Sequence, residues 1–286
     1  MDLAQLIRTA LDEDVAGNRD MTSDLFVDPR VTGTAWIEAR EAAVVSGLSV
    51  VAAVFAAVDP AIRTKELVSD GAAVERMQHV MDISGPAGSI LKAERTALNF
   101  LTHLSGVATH TRKFVDATRQ WNTTILCTRK TLPGLRDLEV AAVRHGGGDA
   151  YRTNLTDAVL LKDNHLGILG GMSGVRKRLG DLHRDDPRGA EALLASGKIE
   201  ANSLDELAEA VAMGWKQILL DNFSPADVAQ AVKRFGKTAY LEMSGGVNLS
   251  NVVEFAATGV HAISVGALTH SSRAVDLSLE VEWSVP

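Results

Sequence analysis

From about residue 122 the chain repeats strand, loop and helix, and this alternation restricts the fold more than any other feature. Short, mostly apolar runs at 124–126, 158–161, 198–200, 217–220, 239–241 and 262–265 read as strands. The run at 158–161 is apolar throughout and is expected to be buried. Segments 203–213, 224–235 and 250–258 carry helical periodicity between them. Ser203 and Ser224 are placed as N-caps, the first with Glu206 three residues on as a capping box and the second with Pro225 at the first helical position. Strands alternating with helices pair in parallel through right-handed crossovers, which leaves a β/α barrel or an open doubly wound sheet. Polar residues gather at the C-terminal ends of these strands, where barrels build their sites, so the barrel is favoured.

The first half differs. Extended segments lie in TAWIEAREAAVVSG and HVMDISG, Leu48 to Val58 is dense enough in apolar residues for a buried helix, and the opening MDLAQLIRTALDEDV is an amphipathic acidic helix. Residues 90–119 read as long helical material suited to bridge two domains. The chain of 286 residues is 46% hydrophobic, ample for a buried core, and its formal charge of −7 argues against a nucleic-acid binder. No apolar run approaches the roughly 20 residues of a membrane span, and no signal-peptide core is present, so a cytoplasmic protein is expected. The single cysteine, Cys127, excludes an intramolecular disulfide and is read as a small strand residue.

Within this acidic chain, one segment is locally cationic. Between Cys127 and His165, Arg129, Lys130, Arg136, Arg152 and Lys162 surround the triplet Gly146-Gly147-Gly148. Guanidinium forks and ammonium groups so gathered suit a small substrate with several negative groups. The triplet by itself could be a flexible connection. Glu200 and Asp221 take equivalent places on successive strand candidates, where two carboxylates could meet ribose hydroxyls or Mg²⁺, or could be caps or surface groups. Ser244-Gly245-Gly246 and Gly266 follow the last two strands, where backbone N–H groups can approach a phosphate. Arg95, in AERTALNF, could be a surface partner of Glu94. His165 could carry a proton, contact phosphate or hold structure. No metal-ligand histidine spacing is found.

These motifs in this order, TRKTLPGLR, the glycine triplet, LLKDNH, LLDNF, LEMSGGV and GVHAISVGALTHS, with DEDVAGNRDMTSD, REAAVVSGLSV and AERTALNFLTHLSGVAT before them, resemble the quinolinate phosphoribosyltransferase family over nearly the whole chain. The resemblance implies an N-terminal α/β sandwich and a C-terminal incomplete, open β/α barrel. The expected divisions are 1–110 for the sandwich and helical bridge, 111–275 for the barrel, and 276–286 for a tail packing back on the first domain. It implies phosphoribosyl transfer from phosphoribosyl pyrophosphate to quinolinate with decarboxylation, giving nicotinate mononucleotide. The alternatives are a related transferase acting on another aromatic acid and a catalytically silent regulator.

By the same resemblance, Lys130, Lys162, Glu200 and Asp221 would be catalytic. Arg95, Arg129, Lys130, Tyr151, Arg152, Lys162 and His165 would bind substrate, and Ser244, Gly245, Gly246 and Gly266 would cradle the 5′-phosphate. Mg²⁺ would come with the phosphoribosyl pyrophosphate, near Glu200 and Asp221, and no organic cofactor is implied. The partners implied are small anions and a second subunit. Arg95 would reach into the partner's site in a homodimer, with association beyond the dimer left open. The chain departs from the family pattern at Tyr151 in place of histidine, Val140-Ala141 in place of Lys-Tyr, Lys198 in place of glutamate, and Met243 in place of a small residue. These departures are expected to cluster around the acceptor pocket.

Overall fold

A computed structural model describes residues 2–15, 17 and 19–284. The chain forms two compact units, one of residues 1–112, 131–147 and 268–286, the other of residues 113–130 and 148–267. The sequence placed a division near residue 110. The structure instead gives residues 131–147 and 268–275 to the first unit, because strand and helix periods do not reveal which core a helix joins.

The first unit is built on an antiparallel sheet whose strand order is Leu277–Ser284, Thr32–Ala39, His79–Pro86, Arg63–Glu66. In register, Ala35 faces Ile83 and Ile37 faces Met81, and all four are buried. The helix Leu48–Val58 adds Leu48, Val51, Val54 and Phe55, each fully excluded from solvent. Each such side chain stabilises the fold by about 1.5–3 kcal/mol relative to exposure. The expected tail becomes the strand Leu277–Ser284, paired with Thr32–Ala39 along its length. Its last two residues lie outside the described set.

The helix Arg136–His145 also belongs to this unit. It ends at Gly146, where a Cβ would stand 2.5 Å from the Ala108 carbonyl oxygen and 2.6 Å from Thr111 Cβ. Arg112 Nε donates to the Gly146 carbonyl at 2.9 Å. The first glycine of the triplet is therefore a tight packing point, not a flexible link.

The second unit carries one parallel seven-stranded sheet, in the order Asp149–Ala150, Thr124–Cys127, Ala262–Ser264, Tyr240–Ser244, Gln217–Asp221, Lys198–Ala201, Leu160–Leu161. The two outer strands do not pair, so the sheet is an incomplete barrel. Residues 158–161, expected as a buried strand, reduce to Leu160–Leu161 at the sheet edge, half-exposed, with Val159 exposed. An edge strand is covered on fewer sides than its apolar composition suggests.

Alternation divides the central strands cleanly. Ile125, Ile199, Ile218, Leu241, Met243 and Ile263 lie on one face and are all buried. Lys198, Glu200, Leu219, Glu242, Ser244 and Ser264 lie on the other, which is mostly polar. Caps fix the connecting helices: Ser203 Oγ accepts from Glu206 N at 3.1 Å, and Ser224 Oγ from Asp227 N at 3.2 Å. The Glu206 carboxylate reaches back one residue further than a capping box requires, accepting from Asn202 N at 2.8 Å.

Candidate active site

The polar face converges at the C-terminal ends of the strands. Lys162 follows the edge strand and heads the helix Asp163–Leu169. Its Nζ donates to Glu200 Oε2 at 3.2 Å, and Asp163 N donates to Glu200 Oε1 at 3.1 Å. Glu200 is only 2% exposed, so these two donors, one charged and one from a helix N-terminus, compensate its lost hydration. Both carboxylate oxygens are thus engaged. Glu200 holds Lys162 in place and does not suit the metal role expected for it.

Nor are Glu200 and Asp221 equivalent. Glu200 registers with Leu219, and Asp221 lies two residues further along its strand. Asp221 is half-buried and accepts from Asn222 Nδ2 at 2.7 Å. His165 Nδ1 accepts from Lys162 N at 3.0 Å, which places the ring proton on Nε2 and assigns the imidazole to closing the first turn of its helix.

Arg129, Lys130 and Arg152 all belong to the barrel unit. Burial lowers the Arg152 pKa, and the positive charge of Arg129 lowers it further. Two guanidinium groups that repel one another in a partly desolvated setting are stabilised by an anion between them. Lys130 is exposed, and its N donates to Thr128 Oγ1 at 3.1 Å. Arg95 lies in the other unit, exposed on the helix Ala87–Thr118.

The glycines after Tyr240–Ser244 have a specific geometric reason. Asn222 takes a positive φ of 56° and donates its N to the Ser244 carbonyl at 2.8 Å. Gly245 sits against it with φ +97°, where an added Cβ would be 2.2 Å from Asn222 Oδ1. Asn251 Nδ2 then donates to the Gly246 carbonyl at 3.0 Å, and Asn251 Oδ1 accepts from Asn248 N at 2.8 Å. The loop is tied from both sides, with its N–H groups at the strand end. Asn222, Asn248 and Asn251 escaped the sequence reading; the tripeptide Asp221-Asn222-Phe223 at a strand end was the available signal for the first. Gly266 follows the Ala262–Ser264 strand at the same end.

The expectation for Tyr151 does not hold geometrically. Its hydroxyl donates to the Ser196 carbonyl at 2.8 Å, and its ring lies 3.4 Å from Lys198 Nζ. Lys198 in turn makes a buried ion pair with Glu242, whose other oxygen accepts from Ser264 Oγ at 2.6 Å. Tyr151, Lys198, Thr124, Gln217 and Tyr240 line a cavity of about 500 Å³ at the opposite, N-terminal mouth of the strands. Met243 is fully buried on the other sheet face, away from Glu242 and Ser244, and Val140 is buried in the first unit. Ala141 lies beside it on the same helix. Within the barrel unit the departures are divided: Tyr151 and Lys198 touch each other, and Met243 lies on the other face of the sheet.

Among the described residues no group of three or more His, Cys, Asp or Glu forms a metal cage. No helix among them is long and apolar enough to cross a membrane.

Two family models match this chain: the N-terminal domain of quinolinate phosphoribosyl transferase over residues 20–105 and its C-terminal domain over 107–280. The chain belongs to the quinolinate phosphoribosyltransferase family. It is 38% identical to the nicotinate-nucleotide pyrophosphorylase [carboxylating] of Mycobacterium leprae, covering 96% of this chain and 95% of that one. With the probable nicotinate-nucleotide pyrophosphorylase [carboxylating] of Methanocaldococcus jannaschii it shares 36% identity over 97% of this chain and 96% of the relative. The nicotinate-nucleotide pyrophosphorylase structure from Francisella tularensis superposes with a TM-score of 0.88 at 37% identity, covering 98% of this chain and 96% of that one. The sandwich and open barrel are thus the architecture of the quinolinate phosphoribosyltransferase family.

Proposed function

We propose that the protein transfers the phosphoribosyl group of phosphoribosyl pyrophosphate to the ring nitrogen of quinolinate, with loss of pyrophosphate and CO₂, to give nicotinate mononucleotide. The observation that carries this reading is Lys162 clamped by buried Glu200 at the strand ends of the barrel unit, which also holds Arg129 and Arg152, the charge of the first lowering the pKa of the second by repulsion. A dicarboxylate held there relieves the repulsion. Lys162 offers a fixed point charge and the two arginines offer planar forks.

The ring nitrogen attacks the anomeric carbon as the C–O bond to pyrophosphate breaks, through a transition state with positive character on the ribose. On this reading the half-buried Asp221 carboxylate at the strand end favours that charge. The loop Ser244-Gly245-Gly246, with Gly266, supplies N–H groups for the 5′-phosphate. Alkylation leaves the ring nitrogen formally positive, so the electron pair of the adjacent C–C bond stays on the ring as CO₂ departs, and a proton replaces it. Lys130 and Lys162 are the general cations next to the leaving groups.

Mg²⁺ bound with the pyrophosphate would neutralise charge on the leaving group. A hard cation held mainly by substrate phosphates needs only one or two protein carboxylates, which suits Asp221 and not Glu200. The proposal extends to a homodimer in the cytoplasm, with Arg95 of one subunit completing the site of the other, and to partners that are small anions only.

Transfer to a different aromatic acid is favoured by one observation, the turning of Tyr151 away from the anion-binding mouth. Incubation of the protein with phosphoribosyl pyrophosphate, Mg²⁺ and either quinolinate or other aromatic mono- and dicarboxylic acids, with mass-spectrometric detection of the mononucleotide, separates the two. Nicotinate mononucleotide from quinolinate is expected. Product from another acid alone would overturn the quinolinate assignment.

A further inference from the structure

The segment after Tyr151 is a closed knot. Asp157 Oδ2 accepts from Thr153 N at 2.8 Å, Thr153 Oγ1 at 2.6 Å and Asn154 N at 3.1 Å. Asn154 Oδ1 accepts from Thr156 N at 2.8 Å and Asp157 N at 3.0 Å. Arg152 Nη1 donates across the knot to the Ala158 carbonyl at 3.1 Å. Such a knot has internal shape but few attachments: residues 154–157 are exposed and the following strand is a two-residue edge. At its other end the knot follows the strand Asp149–Ala150, paired with Thr124–Cys127, and Tyr151 adds a side-chain attachment to the barrel.

That attachment has two parts. The hydroxyl bonds to the Ser196 carbonyl at 2.8 Å, and the ring covers Lys198 Nζ at 3.4 Å. Lys198 is 1% exposed and locked to Glu242, so the ring rests on a group that cannot move. Ser196 ends the helix Pro187–Ser196 just before the strand Lys198–Ala201, and its carbonyl also accepts from Nε2 of Gln217, the first residue of the neighbouring strand, at 3.5 Å. The phenol hydroxyl thus lies at the far end of the strands from the Lys162–Glu200 pair. Arg152 follows directly; the charge of Arg129 lowers its pKa, and its own charge in turn lowers that of Lys198.

We propose that Tyr151 is a positioning residue that anchors the 152–158 knot to the Ser196–Lys198 end of the barrel and so fixes Arg152 for recognition of the acceptor's carboxylates. It contacts no substrate. The inference rests on the phosphoribosyl-transfer reading for its kinetic consequence, but its structural consequence is independent of that reading.

The test uses Tyr151→Leu, which removes ring and hydroxyl, and Tyr151→Phe, which removes the hydroxyl alone. Hydrogen exchange across 150–158 is expected to quicken by about tenfold or more in Tyr151→Leu and by less in Tyr151→Phe, with the rest of the barrel unchanged. On quinolinate, Tyr151→Leu should raise the acceptor KM by about tenfold, with kcat and the phosphoribosyl pyrophosphate KM within about twofold of wild type. Tyr151→Phe should fall between. A general packing defect would instead change both KM values and kcat together, and that result would overturn the proposal. Unchanged exchange in Tyr151→Leu would overturn it as well, whatever the substrate. Absence of quinolinate turnover by the wild-type protein would count against the functional reading alone, and the exchange comparison would still decide the anchor.

Discussion

Replacing Lys198 by methionine should be among the most destabilising single changes in the barrel unit, and its size follows from the surroundings. Lys198 is 1% and Glu242 4% exposed. Burial lowers the Lys198 pKa, while Glu242 pulls it back up. Lys198→Met leaves the Glu242 carboxylate with Ser264 Oγ and no neutralising charge. Orphaning one partner of a buried pair costs about 3–5 kcal/mol. The double variant Lys198→Met/Glu242→Gln removes both charges and keeps an acceptor for Ser264, so its cost should be no more than about 2 kcal/mol.

Urea unfolding followed by tryptophan fluorescence, with Trp36, Trp121 and Trp283 replaced by Phe so that the buried Trp215 of the same unit reports, reads this directly. At a slope of about 2 kcal/mol per molar urea, the single variant should lower the midpoint by about 2 M with the slope unchanged. The double variant should recover at least about a third of that loss. A single variant that loses under about 1 kcal/mol, or a double variant no better than the single, would refute the account of this pair.

Three further outcomes follow from particular residues. The chain has two tyrosines, Tyr151 and Tyr240, and both have pKa values raised above 10.0 by burial and then by Glu242. Tyrosinate absorbance should therefore appear at higher pH in the native protein than in urea. By linkage, their stabilising contribution is complete below the ordinary value and is lost as pH rises toward the folded value. Coincident native and denatured titrations would contradict this. Gly245→Ala forces a left-handed conformation costing about 1–2 kcal/mol and meets Asn222 at 2.2 Å. It should raise the phosphoribosyl pyrophosphate KM about tenfold without altering circular dichroism, and an unchanged KM would remove the phosphate role of this loop. Mixing Arg95→Ala with Lys162→Ala subunits should restore partial activity, because one hybrid site then holds both native residues. Confirmed subunit exchange without any activity would exclude Arg95 acting across a dimer.

The barrel was legible because its strands and helices are separated by period and its caps are local: Ser203 and Ser224 need only neighbours three residues away. The long helix Ala87–Thr118 was legible for the same reason. What escaped depends on distant partners. Nothing in the sequence near Lys198 shows that it meets Glu242 across two strand crossovers, or that Tyr151 turns back to Ser196 instead of facing the mouth. The Glu200 reading fixed the residue's strand but not its register against Leu219, so it missed that Lys162 and Asp163 already occupy the carboxylate. Asn222 was hidden for a different reason, since a positive φ outside glycine carries little sequence signal.

The central claim is that the cationic mouth holds a pyridine dicarboxylate whose ring nitrogen is alkylated before CO₂ leaves. Parallel measurement of pyrophosphate and CO₂ release from carboxyl-labelled quinolinate tests it most directly. The account predicts one CO₂ per pyrophosphate, with no CO₂ formed when phosphoribosyl pyrophosphate is omitted. Pyrophosphate release without CO₂, or no turnover of quinolinate at all, would contradict it.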